Sequence, residues 1–249
     1  MDKEWLFGKT LSELTEIVTA LGMPRFTATQ IVTWLYKKNV TEIDQMTNLS
    51  LKNRERLSQD YCVGMIPVVG CQESVDGTKK YLFPTLKGHY IESAYIPDKD
   101  RATLCVSSQS GCRMGCHFCM TARQGFSHSL TSGEILNQIR TIPESDRLTN
   151  VVYMGMGEPL DNLEQVLRSI EILTARWGYG WSPTRITLST VGVIPAMREF
   201  LNRCSAHLAV SLHDPIHSER LAMMPVEGKY PIEEVIAELK RHDFSHQRR

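Results

Sequence analysis

Three cysteines fall within one short stretch, Cys112-Arg113-Met114-Gly115-Cys116-His117-Phe118-Cys119, at C-x3-C-x2-C spacing. Thiolates this close in sequence can face one point from a single loop, an arrangement that suits soft and borderline metals. A closed structural zinc site takes four protein ligands, so three leave a position free for something that reacts. Iron–sulfur and zinc both stay open on spacing alone. His117, inside the loop, or His128, beyond Cys119, would be the fourth ligand of a zinc ion.

Other residues are read for what they would add to such a site. Gly157-Glu158-Pro159 places a carboxylate and a bare backbone just after the apolar run Val151-Val152-Tyr153-Met154. Ser189 and Ser211-Leu212-His213 close two further apolar alternations, and Cys105 precedes the cysteine loop on a fourth. Taken singly each is ordinary. A Gly-Glu-Pro segment is turn punctuation, strand-end hydroxyls are helix caps, and a free cysteine is a small buried hydrophobe. The common position of Glu158, Ser189 and Ser211-Leu212-His213 at strand ends favours function over these readings, because α/β proteins build sites at the C-terminal edge of the sheet, whereas Cys105 on its own still reads as a buried hydrophobe.

The elements that must position them follow from periodicity. Residues 1–60 read as helical: Thr10-x-x-Glu13 is a capping box followed by Leu14, Ile17, Val18 and Leu21 on one face. Thr27-x-x-Gln30 predicts the cap of a second helix, and Ser50 opens a third that carries Lys52, Arg54 and Arg56. Around Tyr81-Leu82-Phe83 and from Tyr90 to Ile96 the pattern turns strand-like, with Lys87-Gly88 as the turn. A domain boundary is expected at Pro97-Asp98-Lys99-Asp100, dividing an accessory domain, 1–97, from a core, 98–249. Beyond it strands around Thr103–Val106, Val151–Met154, Arg185–Thr190 and Ala206–Leu212 alternate with helices over 131–141, 162–175, 194–202 and 231–239. Ser132 is expected to cap the first of these helices. Such alternation implies a parallel sheet, open or closed into a barrel.

Totals narrow the class. The 249 residues carry 28 Lys and Arg against 28 Asp and Glu, so no basic footprint announces nucleic acid. No apolar run approaches the roughly 20 residues of a membrane helix, and the N-terminus lacks the apolar core of a secretory signal. Seven cysteines, an odd number, argue against a disulfide scaffold. The expectation is a cytoplasmic protein. The chain stops directly after a helix, which would leave a four-stranded parallel sheet with an open edge, so a C-terminal truncation is expected.

At this point the chain resembles a known family. C-x3-C-x2-C with Phe118 before the last cysteine is similar to the radical S-adenosylmethionine superfamily. Its flanks resemble the RlmN/Cfr class of RNA methylases, on the RlmN branch. They are Arg101-Ala102-Thr103-Leu104-Cys105-Val106-Ser107-Ser108-Gln109, Gly111-Cys112, Gln124-Gly125-Phe126, Met154-Gly155-Met156-Gly157-Glu158-Pro159-Leu160-Asp161-Asn162, Leu188-Ser189-Thr190 and Ala209-Val210-Ser211-Leu212-His213. Ser110 stands where the pattern usually has Val. The resemblance implies an α/β fold: a partial (β/α)6-type barrel of about four βα units behind a small helical and β-strand N-terminal domain.

It further implies that Cys112, Cys116 and Cys119 hold a [4Fe–4S] cluster whose fourth iron is chelated by S-adenosylmethionine. Gly157 and Glu158 would contact the cofactor's amino group, and Ser189, Ser211, Leu212 and His213 the rest of it. Cys105 would be a catalytic cysteine that resolves a covalent protein–RNA intermediate, and Glu92 a proton acceptor. The implied reaction is methylation of adenosine carbon 2 in 23S rRNA and tRNA, through a methylated cysteine and with an electron donor such as flavodoxin or ferredoxin. The protein would act as a monomer without a membrane. A disulfide bond also comes with the resemblance, with no pairing assigned. The methyl-carrying cysteine of the family sits in an Ala-Ala-Cys-Gly-type segment, and no cysteine here has that context. The expectation is that these residues alone do not complete methylation. The rival readings are a zinc-stabilised RNA-binding module and a radical S-adenosylmethionine enzyme with another substrate. Cys62, Cys71 and Cys204 match no functional position.

Overall fold

The computed structural model describes residues 3–245, so the last four residues of the 243–249 segment lie outside the described part. Two short strands, β1 (Glu4–Trp5) and β2 (Tyr61–Cys62), pair in parallel around α1 (Leu11–Ala20), α2 (Phe26–Tyr36) and α3 (Leu51–Asp60). Four strands follow: β3 (Gly70–Glu73), β4 (Lys79–Pro84), β5 (Tyr90–Asp98) and β6 (Arg101–Cys105). A small antiparallel pair, β7 (Gln109–Gly111) and β8 (Phe126–Ser129), brackets the cysteine loop and the short α4 (Met120–Arg123). The rest alternates: α5 (Ser132–Arg140), β9 (Asn150–Tyr153), α6 (Leu163–Thr174), β10 (Ile186–Thr190), α7 (Ile194–Arg203), β11 (His207–Val210), α8 (His217–Met223) and α9 (Ile232–Leu239).

One seven-stranded sheet runs β11-β10-β9-β6-β5-β4-β3. Its β6, β9, β10 and β11 are parallel, and β3 to β6 pair antiparallel. The four parallel strands, each followed by helix, are the expected βα units of an α/β fold. The two faces differ because side chains alternate along each strand. Tyr81, Phe83, Ile91, Leu104, Val151, Tyr153, Ile186 and Leu188 are buried on one face. On the other, Glu92, Cys105, Val152 and Ser189 stay half-buried or exposed.

The sheet continues across residues 97 and 98. Ala94 pairs with Cys105 and Asp98 with Arg101, so the expected division falls in a hairpin between hydrogen-bonded strands. Helix α5 ties the first sixty residues to the sheet. Every one of its residues is buried. Arg140 donates from Nη1 to the Leu35 carbonyl (3.1 Å) and from Nη2 to the Val40 carbonyl (2.5 Å), while Ser132 Oγ donates to the Gly8 carbonyl (2.7 Å). One contiguous apolar core includes Leu6 and Leu14 together with Leu188 and Val235.

Two predicted caps are corrected. The Thr10 capping box and the Ser50 cap form, but α2 starts at Phe26, and Thr27 is buried in its first turn. For α5 the cap is Thr131, in a capping box with Glu134, because the Ser132 hydroxyl is taken by Gly8. The disulfide implied by the resemblance does not form: all seven cysteines are free.

Candidate active site

A cavity of about 320 Å³ opens at the C-terminal ends of β9 and β10. Cys112, Cys116 and Cys119 line one side, and Gly157, Glu158, Ser189, Ser211 and His213 line the other. The structure therefore brings together eight of the residues singled out from sequence. Leu212 stands next to this group, exposed, and does not line the cavity.

Local chemistry explains how the loop is held. Gly111, just before Cys112, has φ +77°, and a Cβ there would stand 1.7 Å from the Gly125 carbonyl oxygen. Only glycine lets β7 and β8 close at this point. Buried Gln109 links the two walls. Its Oε1 accepts from the Glu158 amide (3.0 Å), and its Nε2 donates to Asp161 Oδ2 (2.8 Å). Gly157 has φ +97° and lies so close to Gln109 that a Cβ would come within 2.5 Å of its side chain. Arg113 pairs with Asp161 (3.0 Å) and lies over the Phe126 ring, 3.8 Å from its centroid.

Glu158 is the most constrained side chain here. Its Oε1 accepts from Thr190 Oγ1 (2.6 Å) and the Leu160 amide (3.1 Å), and its Oε2 from the Val191 amide (3.0 Å). Burial nevertheless outweighs these donors and raises its pKa to about 7. An ionised carboxylate has about four acceptor positions, so one remains for a cationic ligand group. Ser189 Oγ and Ser211 Oγ are 3.5 Å apart, and the His213 ring meets the Phe118 ring of the cysteine loop at a tilt of 45°, 4.5 Å between centroids. His213 itself has φ +55°, uncommon for a residue with a side chain.

Cys105 and Glu92 are not in the cavity lining. They occupy neighbouring antiparallel strands: Ala94 is opposite Cys105, and Glu92, two residues earlier, shares its face. Burial raises the Cys105 thiol to about 11, against a hydrogen bond from the Met154 amide that lowers it. Glu92 pairs with Lys80 (3.0 Å), both side chains about half exposed. Ser107 joins this region to the cavity wall, its Oγ donating to the Glu92 carbonyl (2.6 Å) and accepting from the Met156 amide (2.8 Å).

Three thiols around one cavity suit a soft-metal group such as an iron–sulfur cluster. Among the described residues no three His, Cys, Asp or Glu side chains converge closely enough to hold one metal ion. A cubane spreads its thiolates over separate irons, so its ligands stand further apart than those of one zinc. Burial pushes Cys112 up to about 11 and also raises Cys116, with nearby cysteines adding to both shifts. A metal group bound there would have to displace these thiol protons. The proposed fourth zinc ligands point elsewhere. His117 Nδ1 donates to the Ala222 carbonyl (2.8 Å), and His128 packs on His89 at 5.5 Å.

The profile of the ribosomal RNA large subunit methyltransferase N-terminal domain matches residues 5–63, and that of the radical SAM superfamily matches residues 106–246. Proteins of Bacteroides thetaiotaomicron and Bacteroides fragilis named "Probable dual-specificity RNA methyltransferase RlmN" are 56% identical over 249 residues, all of this chain and 72% of each relative. The chain belongs to the RlmN family of radical S-adenosylmethionine methyltransferases. A dual-specificity RNA methyltransferase RlmN of Geotalea uraniireducens is 40% identical over 240 residues, 96% of this chain and 70% of that protein. The crystal structure of a radical SAM methyltransferase from Sphaerobacter thermophilus superposes with a TM-score of 0.88 at 38% identity, over 96% of this chain and 72% of that one. The protein is thus a methyltransferase with the radical SAM fold.

Sequence reasoning did not single out several cavity residues. Thr190 and Val191 hold Glu158, and Met224 lies against Cys116. Thr190 was visible within the Leu188-Ser189-Thr190 motif. Helix α8, seven residues with an exposed N-terminal half, has too short a repeat to show.

Proposed function

We propose that this chain carries the radical-generating site of an enzyme that methylates carbon 2 of adenosine in ribosomal and transfer RNA, and that the site is the cavity at the strand ends. The observation that carries this reading is the cavity itself, where three thiols face Glu158 and two strand-end hydroxyls. Cys112, Cys116 and Cys119 would hold the [4Fe–4S] cluster. Gly157 and Glu158 would take the ammonium of S-adenosylmethionine, a charge-assisted contact once Glu158 is ionised. Ser189, Ser211, Leu212 and His213 would orient the remainder. Cluster and cofactor, when bound, would supply one-electron reductive cleavage chemistry and, with it, hydrogen-atom abstraction. Cys105 would serve as catalytic cysteine and Glu92 as proton acceptor, both on the sheet face beside the cavity. Residues 1–97 would help grip RNA and residues 98–249 carry the radical chemistry, with flavodoxin or ferredoxin as electron donor to a monomeric, cytoplasmic enzyme. Among the described residues no helix is long and apolar enough to cross a membrane.

We also propose that residues 1–249 alone stop short of product, since none of their cysteines stands in the methyl-carrying context. The test is anaerobic reconstitution with iron and sulfide, followed by reduced flavodoxin, S-adenosylmethionine and transcribed rRNA and tRNA fragments. Brown protein that cleaves S-adenosylmethionine without forming methyladenosine is expected. Colourless, zinc-loaded protein would overturn the cluster assignment, and methyladenosine would overturn the proposal that these residues stop short of product.

A further inference from the structure

The segment after β11 is drawn together by one buried ion pair. Arg220, on α8, and Glu227, in the 3-10 turn Pro225–Gly228, have no exposed surface and contact each other through guanidinium and carboxylate. Such a pair offsets its desolvation only when further hydrogen bonds complete both groups. Backbone completes them here. Arg220 Nε donates to the Leu212 carbonyl (3.0 Å), and Nη2 donates to the carbonyls of Val191 (2.8 Å) and Ser211 (3.1 Å). Glu227 accepts from the Ile232 amide at 3.1 and 3.0 Å and has His217 Nδ1 at 2.7 Å.

Val191 lies in the loop leaving β10, and Ser211 and Leu212 lie in the loop leaving β11, which also presents His213. The residues just after Arg220 grip the opposite wall. Ala222 and Met223 accept at their carbonyls from His117 Nδ1 (2.8 Å) and the His117 amide (2.9 Å), and Met224 packs with Cys116 in a small apolar cluster. A single helical turn thus touches both the cysteine loop and the strand-end loops.

We propose that Arg220, oriented by Glu227, is a positioning residue. It fixes the loops after β10 and β11 against the cysteine loop and so sets affinity for S-adenosylmethionine without touching it. This rests on the reading of the cavity as the S-adenosylmethionine site. The planar fork is what the role requires: its separate N–H groups reach three carbonyls and a carboxylate at once, whereas a lysine ammonium is a point charge on a flexible stem.

The test compares anaerobically reconstituted wild-type chain with Arg220→Lys and with the double variant Arg220→Met/Glu227→Met. The double variant removes both charges and so leaves neither buried alone. Arg203→Lys, on the exposed pair with Glu164, is the control. Iron and sulfide per chain, melting temperature, S-adenosylmethionine affinity by equilibrium dialysis, and the change in the reduced cluster's EPR signal on adding S-adenosylmethionine are measured. Both Arg220 variants should keep iron and sulfide and a cooperative melt. Each should bind S-adenosylmethionine about tenfold more weakly or worse, with an altered EPR response, while Arg203→Lys behaves as wild type. If Arg220→Lys fails to fold, the double variant decides. Unchanged affinity in a folded variant overturns the positioning role alone. A wild-type chain that holds its cluster but binds no S-adenosylmethionine overturns the site reading as well.

Discussion

Glu158 gives the site a quantitative test. Burial raises its pKa to about 7 from an ordinary 4.5, against the pull of Thr190 and the Val191 and Leu160 amides. A carboxyl raised in this way keeps its proton in the native state at pH values where the unfolded chain has released it. Its contribution to stability is therefore fully present below about pH 4.5 and is lost as pH rises through about 7. At about 1.36 kcal/mol per pKa unit, the interval from 4.5 to about 7 is worth about 3 kcal/mol, of which about 2.5 kcal/mol falls between pH 5 and pH 8. Glu158→Gln abolishes this titration. Its amide oxygen can keep Thr190 and Leu160, but its NH2 meets the Val191 amide donor to donor, a penalty of about 1–3 kcal/mol that does not vary with pH. Urea unfolding of the metal-free, reduced chain at pH 5, 6, 7 and 8 separates the two effects. The stability of wild type relative to the variant should fall by about 2.5 kcal/mol from pH 5 to pH 8. Groups common to both proteins cancel in that difference. A flat difference would refute the burial argument. In the same range wild-type affinity for S-adenosylmethionine should rise with pH, because only ionised Glu158 offers a counter-charge to the ammonium, and Glu158→Gln should lose that rise.

Three shorter predictions follow from the same geometry. With the Cys105 thiol at about 11, roughly one in a thousand Cys105 side chains is ionised at pH 8. Iodoacetamide followed by peptide mass spectrometry should thus label exposed Cys71 well before Cys105, and equal rates would contradict the assignment. Gly111→Ala drives a Cβ into the Gly125 carbonyl and forces β7 from β8. Iron bound per chain after reconstitution should fall by about half or more, with the main-sheet circular dichroism retained. Leu104→Ala, in the central strand β6 and fully buried, should cost about 2–5 kcal/mol in urea unfolding, with no change in which cysteines bind iron.

What sequence revealed here was what local chemistry controls. The four parallel strands follow from apolar alternation at β6, β9, β10 and β11, and Thr10 and Ser50 cap helices through contacts within three residues. Eight cavity residues were visible because motif positions at strand ends converge once the sheet is parallel. The failures are nonlocal. Ser132 looks like a cap until Gly8 claims its hydroxyl. Arg220 and Glu227 are seven residues apart in a stretch without periodicity, so nothing local marks the pair as buried.

The β5–β6 hairpin bears on the roles proposed for Glu92 and Cys105, which lie outside the cavity lining. Antiparallel pairing of Ala94 with Cys105 places them on one face, and Ser107 fixes the Glu92 backbone to Met156 beside the cavity. Glu92 is held by Lys80 at 3.0 Å, but both side chains are about half exposed. Pairs of this kind contribute only about 0–1 kcal/mol. Lys80 therefore does not lock the carboxylate away, and the Glu92 side chain can turn from it at little cost. Cys105 is the reverse case. Its backbone is fixed in the ladder between β5 and β9 and its thiol is held protonated by burial. Geometry is thus already supplied for Cys105 and ionisation is not, so a proton acceptor near the substrate is what its proposed role requires.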